Sequence, residues 1–181
     1  KIMRIISGKF KGRRFEPPTN ITARPTTDFA KESLFNLINN MMDIEGSTVL
    51  DLFSGTGSIS YEFASRDASY ITAVEMSEKH IAFIRKTCTT LGIDNIRVQR
   101  SDVFRFIAST KASYDIIFAD PPYQLEKISE IPDLIFNNNL LANDGILIVE
   151  HGVSTDFSGH PNFFEHRNYG NVHFSFFKNI E

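Results

Sequence analysis

Tyr114-Asp115-Ile116-Ile117-Phe118-Ala119-Asp120-Pro121-Pro122-Tyr123 opens as a short apolar, β-branched run and closes on two consecutive prolines. Such a run reads as a buried strand. Each proline fixes φ and lacks an N–H, so the strand must stop there and the chain must turn. The Asp120 carboxylate and the Pro121 carbonyl are left as acceptors at the strand's C-terminal edge, with the Tyr123 ring just beyond. Acceptors beside a stacking face suit a planar base that carries an exocyclic amino group. A rigid turn with a satisfied aspartate and a packed tyrosine accounts for the same four residues.

The pattern of a strand closed by an acid recurs outward from this stretch. Strand-like runs fall at 47–52, 70–75, 95–100 and 145–150, and Asp51, Glu75, Asp102 and Glu150 sit at or just after their ends. Helix-like segments separate the first three strands. Residues 77–92 are the clearest, with Ser77 as cap, Ile81, Ile84, Cys88 and Leu91 on one face and Gly92 as the stop. Strand–helix alternation at this spacing predicts a parallel, doubly wound α/β sheet. Past residue 150, Phe163-Phe164 and Val172–Phe177, joined through Tyr169-Gly170-Asn171, predict a closing antiparallel hairpin.

The C-terminal strand ends of such a sheet line one edge, where ligands bind. Five carboxylates focused on that edge repel one another, which favours a ligand site over a structural role. The first turn, Asp51-Leu52-Phe53-Ser54-Gly55-Thr56-Gly57-Ser58-Ile59-Ser60, has glycines that permit a tight turn and close backbone approach. Glu75 lies 20 residues past Gly55, where an acid commonly binds a ribose diol. A nicotinamide dinucleotide fits these features too, but Ser60 stands where a third glycine or alanine is expected. Asp102 could accept from an adenine amino group, and Asp51 favours a cationic ligand over a pyrophosphate.

At 181 residues the chain is expected to form one domain with a short appendage. No apolar run approaches the roughly 18 residues of a membrane span, and no charged-then-apolar leader precedes the first strand. The lone Cys88 excludes an intrachain disulfide and fits a reducing cytoplasm. The net charge of −3 hides an asymmetry: residues 1–24 carry seven basic side chains against Glu16 alone, hence +6, leaving −9 on the rest. Such an arm suggests contact with a polyanion, although a solvated tail has the same composition. Arg4-Ile5-Ile6 and Arg13-Arg14-Phe15 predict a β-hairpin in the arm. Residues 19–25 form a connector, and Pro25 with Thr27 or Asp28 starts a helix whose apolar stripe is Ala30, Leu34, Leu37, Ile38 and Met41. No His/Cys cluster offers a metal site. His151 reads as a hydrogen-bonded strand-end residue, and His80, His160, His166 and His173 as scattered. Phe10 either stacks on a base or anchors the arm.

Asp51-x-Phe53-x-Gly55-x-Gly57, Glu75, Asp102 and Asp120-Pro121-Pro122-Tyr123 resemble the ordered motifs of S-adenosylmethionine-dependent methyltransferases. Arg4–Arg13, Arg24–Asp28, Lys31–Asn36 and Tyr169-Gly170 narrow the resemblance to the RsmD family, which methylates N2 of a guanine in 16S ribosomal RNA, position 966 by that resemblance. The family more often has arginine where this chain has Phe29 and Lys31. The resemblance implies a Rossmann-like seven-stranded sheet, mostly parallel, spanning residues 26–181 with its leading helix, behind an arm and connector at 1–25.

It further implies that Asp51, Phe53, Gly55, Gly57, Glu75 and Asp102 hold S-adenosylmethionine without a metal. Asp120 and Pro121 accept from the N2 amino group, and Tyr123 stacks on the guanine. Lys9, Lys11, Arg13, Arg14 and Arg24 contact RNA. The expected partner is 16S rRNA, alone or within the small subunit or its assembly intermediate, met in the cytoplasm by a monomeric enzyme. Three other classes share parts of the pattern. Adenine-N6 or protein-glutamine methyltransferases usually have Asn at the place of Asp120. A nicotinamide oxidoreductase leaves Asp102 and Asp120–Tyr123 idle. A non-catalytic RNA-binding module uses only the arm.

Overall fold

Apolar runs bounded by turn residues become strands here wherever a helix can cover them, and seven of them build one sheet. The structure is a computed structural model and describes residues 2–19 and 26–181. In chain order the elements are β1 (Met3–Arg4), β2 (Arg14–Phe15), α1 (Asp28–Met41), β3 (Thr48–Leu52), α2 (Ser58–Ser65), β4 (Tyr70–Glu75) and α3 (Glu78–Leu91). There follow β5 (Ile96–Arg100), α4 (Val103–Ser109), β6 (Tyr114–Ala119), α5 (Ile131–Asn137), β7 (Leu141–His151), β8 (Phe163–Tyr169) and β9 (Val172–Phe177).

The strand order is β5-β4-β3-β6-β7-β9-β8, with β5 through β7 parallel and β9 antiparallel to both its neighbours. This is the parallel α/β sheet that the alternation predicts, with the closing hairpin read from the two aromatic strands, in the Rossmann-like form that the resemblance implies. From β3 the chain first winds outward to β4 and β5, then returns to add β6 and β7 on the other side. The order therefore reverses between β3 and β6, which opens a crevice beyond their C-terminal ends.

One face of the sheet is covered by α1, α2, α3 and the arm, the other by α4 and α5. The helix starts follow from their caps: Thr27 accepts from the Ala30 N–H at 3.2 Å, and Ser77 accepts from the His80 N–H at 3.4 Å. Gly92 closes α3 in the left-handed region. Pro25, the other predicted start of α1, lies outside the described residues. The stripe of α1 is wider than predicted, because Lys31 and Phe35 are buried along with Ala30, Leu34 and Ile38. Strand β7 begins earlier than its apolar run, at Leu141. Gly145 makes that possible, since a Cβ there would stand 2.7 Å from the Asp115 carbonyl of β6.

The arm is not detached. Met3, Ile5 and Phe15 are buried in the same core as Leu34, Phe35, Tyr61 and Phe63, with the Phe15 ring edge-on to Tyr61 at 5.0 Å. Phe10 packs against this core as well, which makes it an anchor of the arm.

Candidate active site

Beyond the C-terminal ends of β3, β4 and β6 lies a cavity of about 780 Å³. Its wall holds the five strand-end acids Asp51, Glu75, Asp102, Asp120 and Glu150, together with Phe53, Gly55, Pro121 and Tyr123. Of the residues read as cofactor-binding or catalytic, only Gly57 is absent from the wall; it lies behind, between the wall residues Thr56 and Ser58. The parallel register explains the convergence, because Asp51 pairs with Phe118 of β6 and Ala73 of β4, so their chain ends fall level.

The turn after β3 is backbone-driven. Phe53, Gly55 and Gly57 all have positive φ, at 59°, 55° and 84°. For a bulky residue such as Phe53 that conformation is strained, and strain of this kind persists where a site requires it. A Cβ on Gly57 would also strike the Tyr61 ring at 2.7 Å. The Ser54 hydroxyl is buried in the wall and has no hydrogen-bond partner among the described residues. A buried, unsatisfied hydroxyl is costly unless a ligand completes it.

Asp51 is 1% exposed, and its Oδ2 accepts from the Ser60 hydroxyl at 2.6 Å. Burial, with added repulsion from Asp120 and Glu75, outweighs that hydrogen bond and pushes the carboxyl up to about 7. Glu75 goes the other way. Burial acts to raise it, but the His80 imidazole and the Ser77 and Gly55 amides together hold it below the usual carboxylate range. Its Oε1 accepts from Gly55 N–H at 2.9 Å, and its Oε2 from Met76 and Ser77 N–H at 3.0 and 2.8 Å. Glu75 thus ties the glycine turn to the start of α3. Asp102 caps α4, its Oδ1 accepting from Arg105 N–H at 3.1 Å.

The Asp120–Tyr123 segment is fixed from both sides. Asp120 N–H donates to the Leu52 carbonyl at 3.3 Å, and the Pro122 carbonyl accepts from Leu125 N–H at 2.9 Å. No donor among the described residues reaches the Pro121 carbonyl. The Tyr123 ring lies against Gly152, where a Cβ would stand 3.3 Å from the ring. Gly152 escapes sequence reading, because nothing local marks it as a ring support.

Three further wall residues were not read from the sequence as site residues. Met3 and Thr26 bring the N-terminal region to the cavity, and His80 lies 3.4 Å from the Glu75 carboxylate. Behind the wall, the Lys31 ammonium donates to the Arg4 carbonyl at 2.7 Å and to the Ser58 hydroxyl at 3.1 Å, and stands 3.8 Å from Glu62. Glu62 accepts from the Ile6 and Ser7 amides at 2.9 and 3.1 Å, and from Arg66 at 2.9 Å. Helix α2 therefore holds the glycine turn at one end and the arm's backbone along its length.

Of the residues read as RNA-binding, Lys9, Lys11, Arg13 and Arg14 are exposed, and Lys9 also pairs with Asp67 at 3.6 Å. Arg24 lies outside the described residues. The histidines are less scattered than the sequence suggests, since His151, His166 and His173 stack with ring centroids 5.1–6.0 Å apart. His151 is a buried strand-end residue, as expected. Its Nδ1 meets the Gly152 carbonyl at 2.9 Å and its Nε2 the Ser175 hydroxyl at 2.7 Å, and burial lowers its pKa.

Residues 3–178 match the family described as "Conserved hypothetical protein 95". The ribosomal RNA small subunit methyltransferase D of Escherichia coli strain K12 is 34% identical over 151 residues, covering 83% of this chain and 75% of that protein. The protein of the same description from Buchnera aphidicola subsp. Baizongia pistaciae is 37% identical over 148 residues, covering 82% and 75%. A solved Escherichia coli structure described as a methyltransferase superposes with a TM-score of 0.86 at 30% identity, covering 98% of this chain and 97% of that one. With residues 3–178 matched by the family and relatives of 34–37% identity over most of the chain, this chain belongs to the "Conserved hypothetical protein 95" family, the RsmD family of methyltransferases.

Proposed function

We propose that the protein is an S-adenosylmethionine-dependent rRNA methyltransferase that acts on the exocyclic N2 of a guanine in 16S rRNA, position 966 by family resemblance. It does so as a cytoplasmic monomer. The observation that carries this reading is the single cavity that joins Asp120-Pro121-Pro122-Tyr123 to the glycine turn, Glu75 and Asp102. An oxidoreductase would leave the first of these groups unused, and a binding module would need none of them.

S-adenosylmethionine fits the donor set. The cavity offers a buried carboxyl for an ammonium group, a glycine turn with an unsatisfied Ser54 hydroxyl, and acids at the second and third strand ends for ribose and adenine. Bound, it supplies an electrophilic methyl group on its sulfonium. Asp51 would hold its amino group, Glu75 its ribose hydroxyls and Asp102 its adenine. On the substrate side, the Asp120 carboxylate and the Pro121 carbonyl accept the hydrogens of the guanine amino group and so fix the direction of its lone pair. Tyr123, backed by Gly152, stacks on the base. Positioning and fixed charge supply most of the acceleration. Lys9, Lys11, Arg13, Arg14 and Arg24 reach phosphates. Transfer of tritiated methyl groups to naked 16S RNA, to small-subunit particles and to DNA, followed by nucleoside digestion, tests the reading. Label in N2-methylguanosine supports it, and label only in N6-methyladenosine or in protein overturns it.

Two predictions concern cofactor binding. Asp51 in the folded protein keeps its proton up to about pH 7, whereas its unfolded counterpart loses it near 3.8. Its contribution to stability therefore falls as pH rises through that window. An ammonium group beside it reverses the preference, so binding must expel the proton. Below about pH 7 the affinity should drop by roughly tenfold per pH unit, with proton release measurable by calorimetry in two buffers. No proton release at pH 6 would remove Asp51 from the amino-group site. For Glu75, both oxygens already accept backbone amides, so Glu75→Gln turns an NH2 group against one of those N–H donors. Glu75→Gln should then lose nearly as much cofactor affinity as Glu75→Ala, roughly 10- to 150-fold, the equivalent of about 1.5–3 kcal/mol. A Gln variant that binds within twofold of wild type would show that the amide contacts do not organise the turn.

A further inference from the structure

On the outer side of α3, away from the cavity, strand β2 and Pro18 lie across the helix and leave a groove of about 550 Å³. Its floor is apolar. Phe15 is buried there, Phe83 is half-buried with its ring 6.4 Å from that of Phe15, and Leu91 closes the far end. The rim is mainly basic, with Arg14 beside Glu16 on one side and Lys79 and Lys86 on the other, all exposed. Among the described residues none of these three cations forms an ion pair, whereas the neighbouring Arg4, Lys9 and Arg100 pair with Asp28, Asp67 and Glu78. Lys79 sits between Ser77 and His80, both in the wall of the active-site cavity, so the groove starts where that wall ends.

An apolar partner helix or a second copy of the chain would cover the floor but strip water from unpaired cations, which is costly. A nucleic acid strand satisfies both surfaces, because a base has an apolar face for stacking and its phosphates neutralise the rim. We propose that this groove is a second nucleotide-binding site. It holds an unstacked base of the substrate RNA against Phe83, with the flanking phosphates on Arg14, Lys79 and Lys86. The inference rests on the reading of the protein as an rRNA methyltransferase.

The test uses the full chain and a single-stranded 16S RNA fragment containing the target guanine. Binding is measured across a salt series for wild type, for Lys79→Ala/Lys86→Ala and for Phe83→Leu, which keeps apolar volume but removes the planar face. The double lysine variant should flatten the slope of log affinity against log salt by about 1.4, from roughly 0.7 per phosphate contact. Phe83→Leu should weaken binding about fivefold or more at fixed salt without changing the slope. In wild type, RNA carrying 5-iodouridine should photo-crosslink to the 79–91 segment. Affinity for S-adenosylhomocysteine, measured in parallel, reports that each variant is folded. Unchanged slope together with Phe83→Leu binding within twofold of wild type overturns the site. So does a concentration-dependent dimer that the lysine variant abolishes, which would give the groove to a second copy. If wild type methylates 16S RNA while the groove variants match it, only this inference fails. If wild type neither binds nor methylates rRNA, the functional reading fails first.

Discussion

Asp120→Ala should bind S-adenosylmethionine as well as the wild type does, yet lose methyl transfer by about a hundredfold or more, the equivalent of roughly 2.7 kcal/mol. The asymmetry follows from where the side chain sits. Asp120 ends β6 on the far side of the switch point from Glu75, and its backbone is held by Leu52 whatever its side chain. Removing the carboxylate should therefore leave the glycine turn in place. It also removes one of the charges that raise Asp51, so below pH 7 cofactor affinity should hold or rise slightly. What would disappear is the acceptor proposed for the substrate amino group, with only the Pro121 carbonyl left in that proposed role. The neighbouring ring gives a control. Tyr123→Ala should lose most activity, whereas Tyr123→Phe should keep much of it, since the ring and not the hydroxyl is assigned to the base. Single-turnover rates at saturating cofactor measure both. A Tyr123→Phe variant as inactive as Tyr123→Ala would end the stacking assignment, and an Asp120→Ala variant with unchanged rate would end the orienting role.

The convergence of the strand-end residues on one cavity was legible because its signals are local in sequence. A strand announces itself by a β-branched run, its end by Pro-Pro, and its edge by an acid. Five such ends converge once the sheet is parallel. What stayed hidden depends on contacts between segments far apart in the chain. Nothing in the local sequence marks Glu62 or Lys31 for burial, yet both are almost fully buried, because the arm folds over them. Composition alone left the arm between clamp and tail, and it could not show that Met3 would reach the cavity wall. Gly152 as a support for Tyr123 and the stacking of His151 with His166 and His173 join residues from β6–β9, which no periodicity within one strand reveals.

The Lys31–Glu62 pair should give the largest stability effect in the chain. The Glu62 carboxylate is fully buried, accepts from three donors, the Ile6 and Ser7 amides and Arg66, and pairs with the Lys31 ammonium at 3.8 Å. Glu62→Ala leaves two arm amides without acceptors and the Lys31 ammonium buried without its counter-charge. Breaking a buried pair from one side costs about 3–5 kcal/mol. In a protein of this size that is a fall in Tm of about 6–20 °C. The pH dependence distinguishes this cause from simple loss of packing. Burial already lowers the Lys31 pKa, and attraction to Glu62 opposes the shift, so the variant should lower it further. A folded-state pKa below the unfolded one means that the unfolded chain binds more protons in between, so the stability of the variant should rise with pH towards about 10. The deficit against wild type should shrink over the same range. Replacing both partners, as Lys31→Met/Glu62→Leu, should recover much of the loss from the charge but not from the two amides, whose exchange with solvent should stay fast. Thermal unfolding at several pH values, with hydrogen exchange at Ile6 and Ser7, measures each part. A Glu62→Ala variant that melts with the wild type would mean that the arm is fastened by its apolar anchors Met3, Ile5 and Phe15 alone.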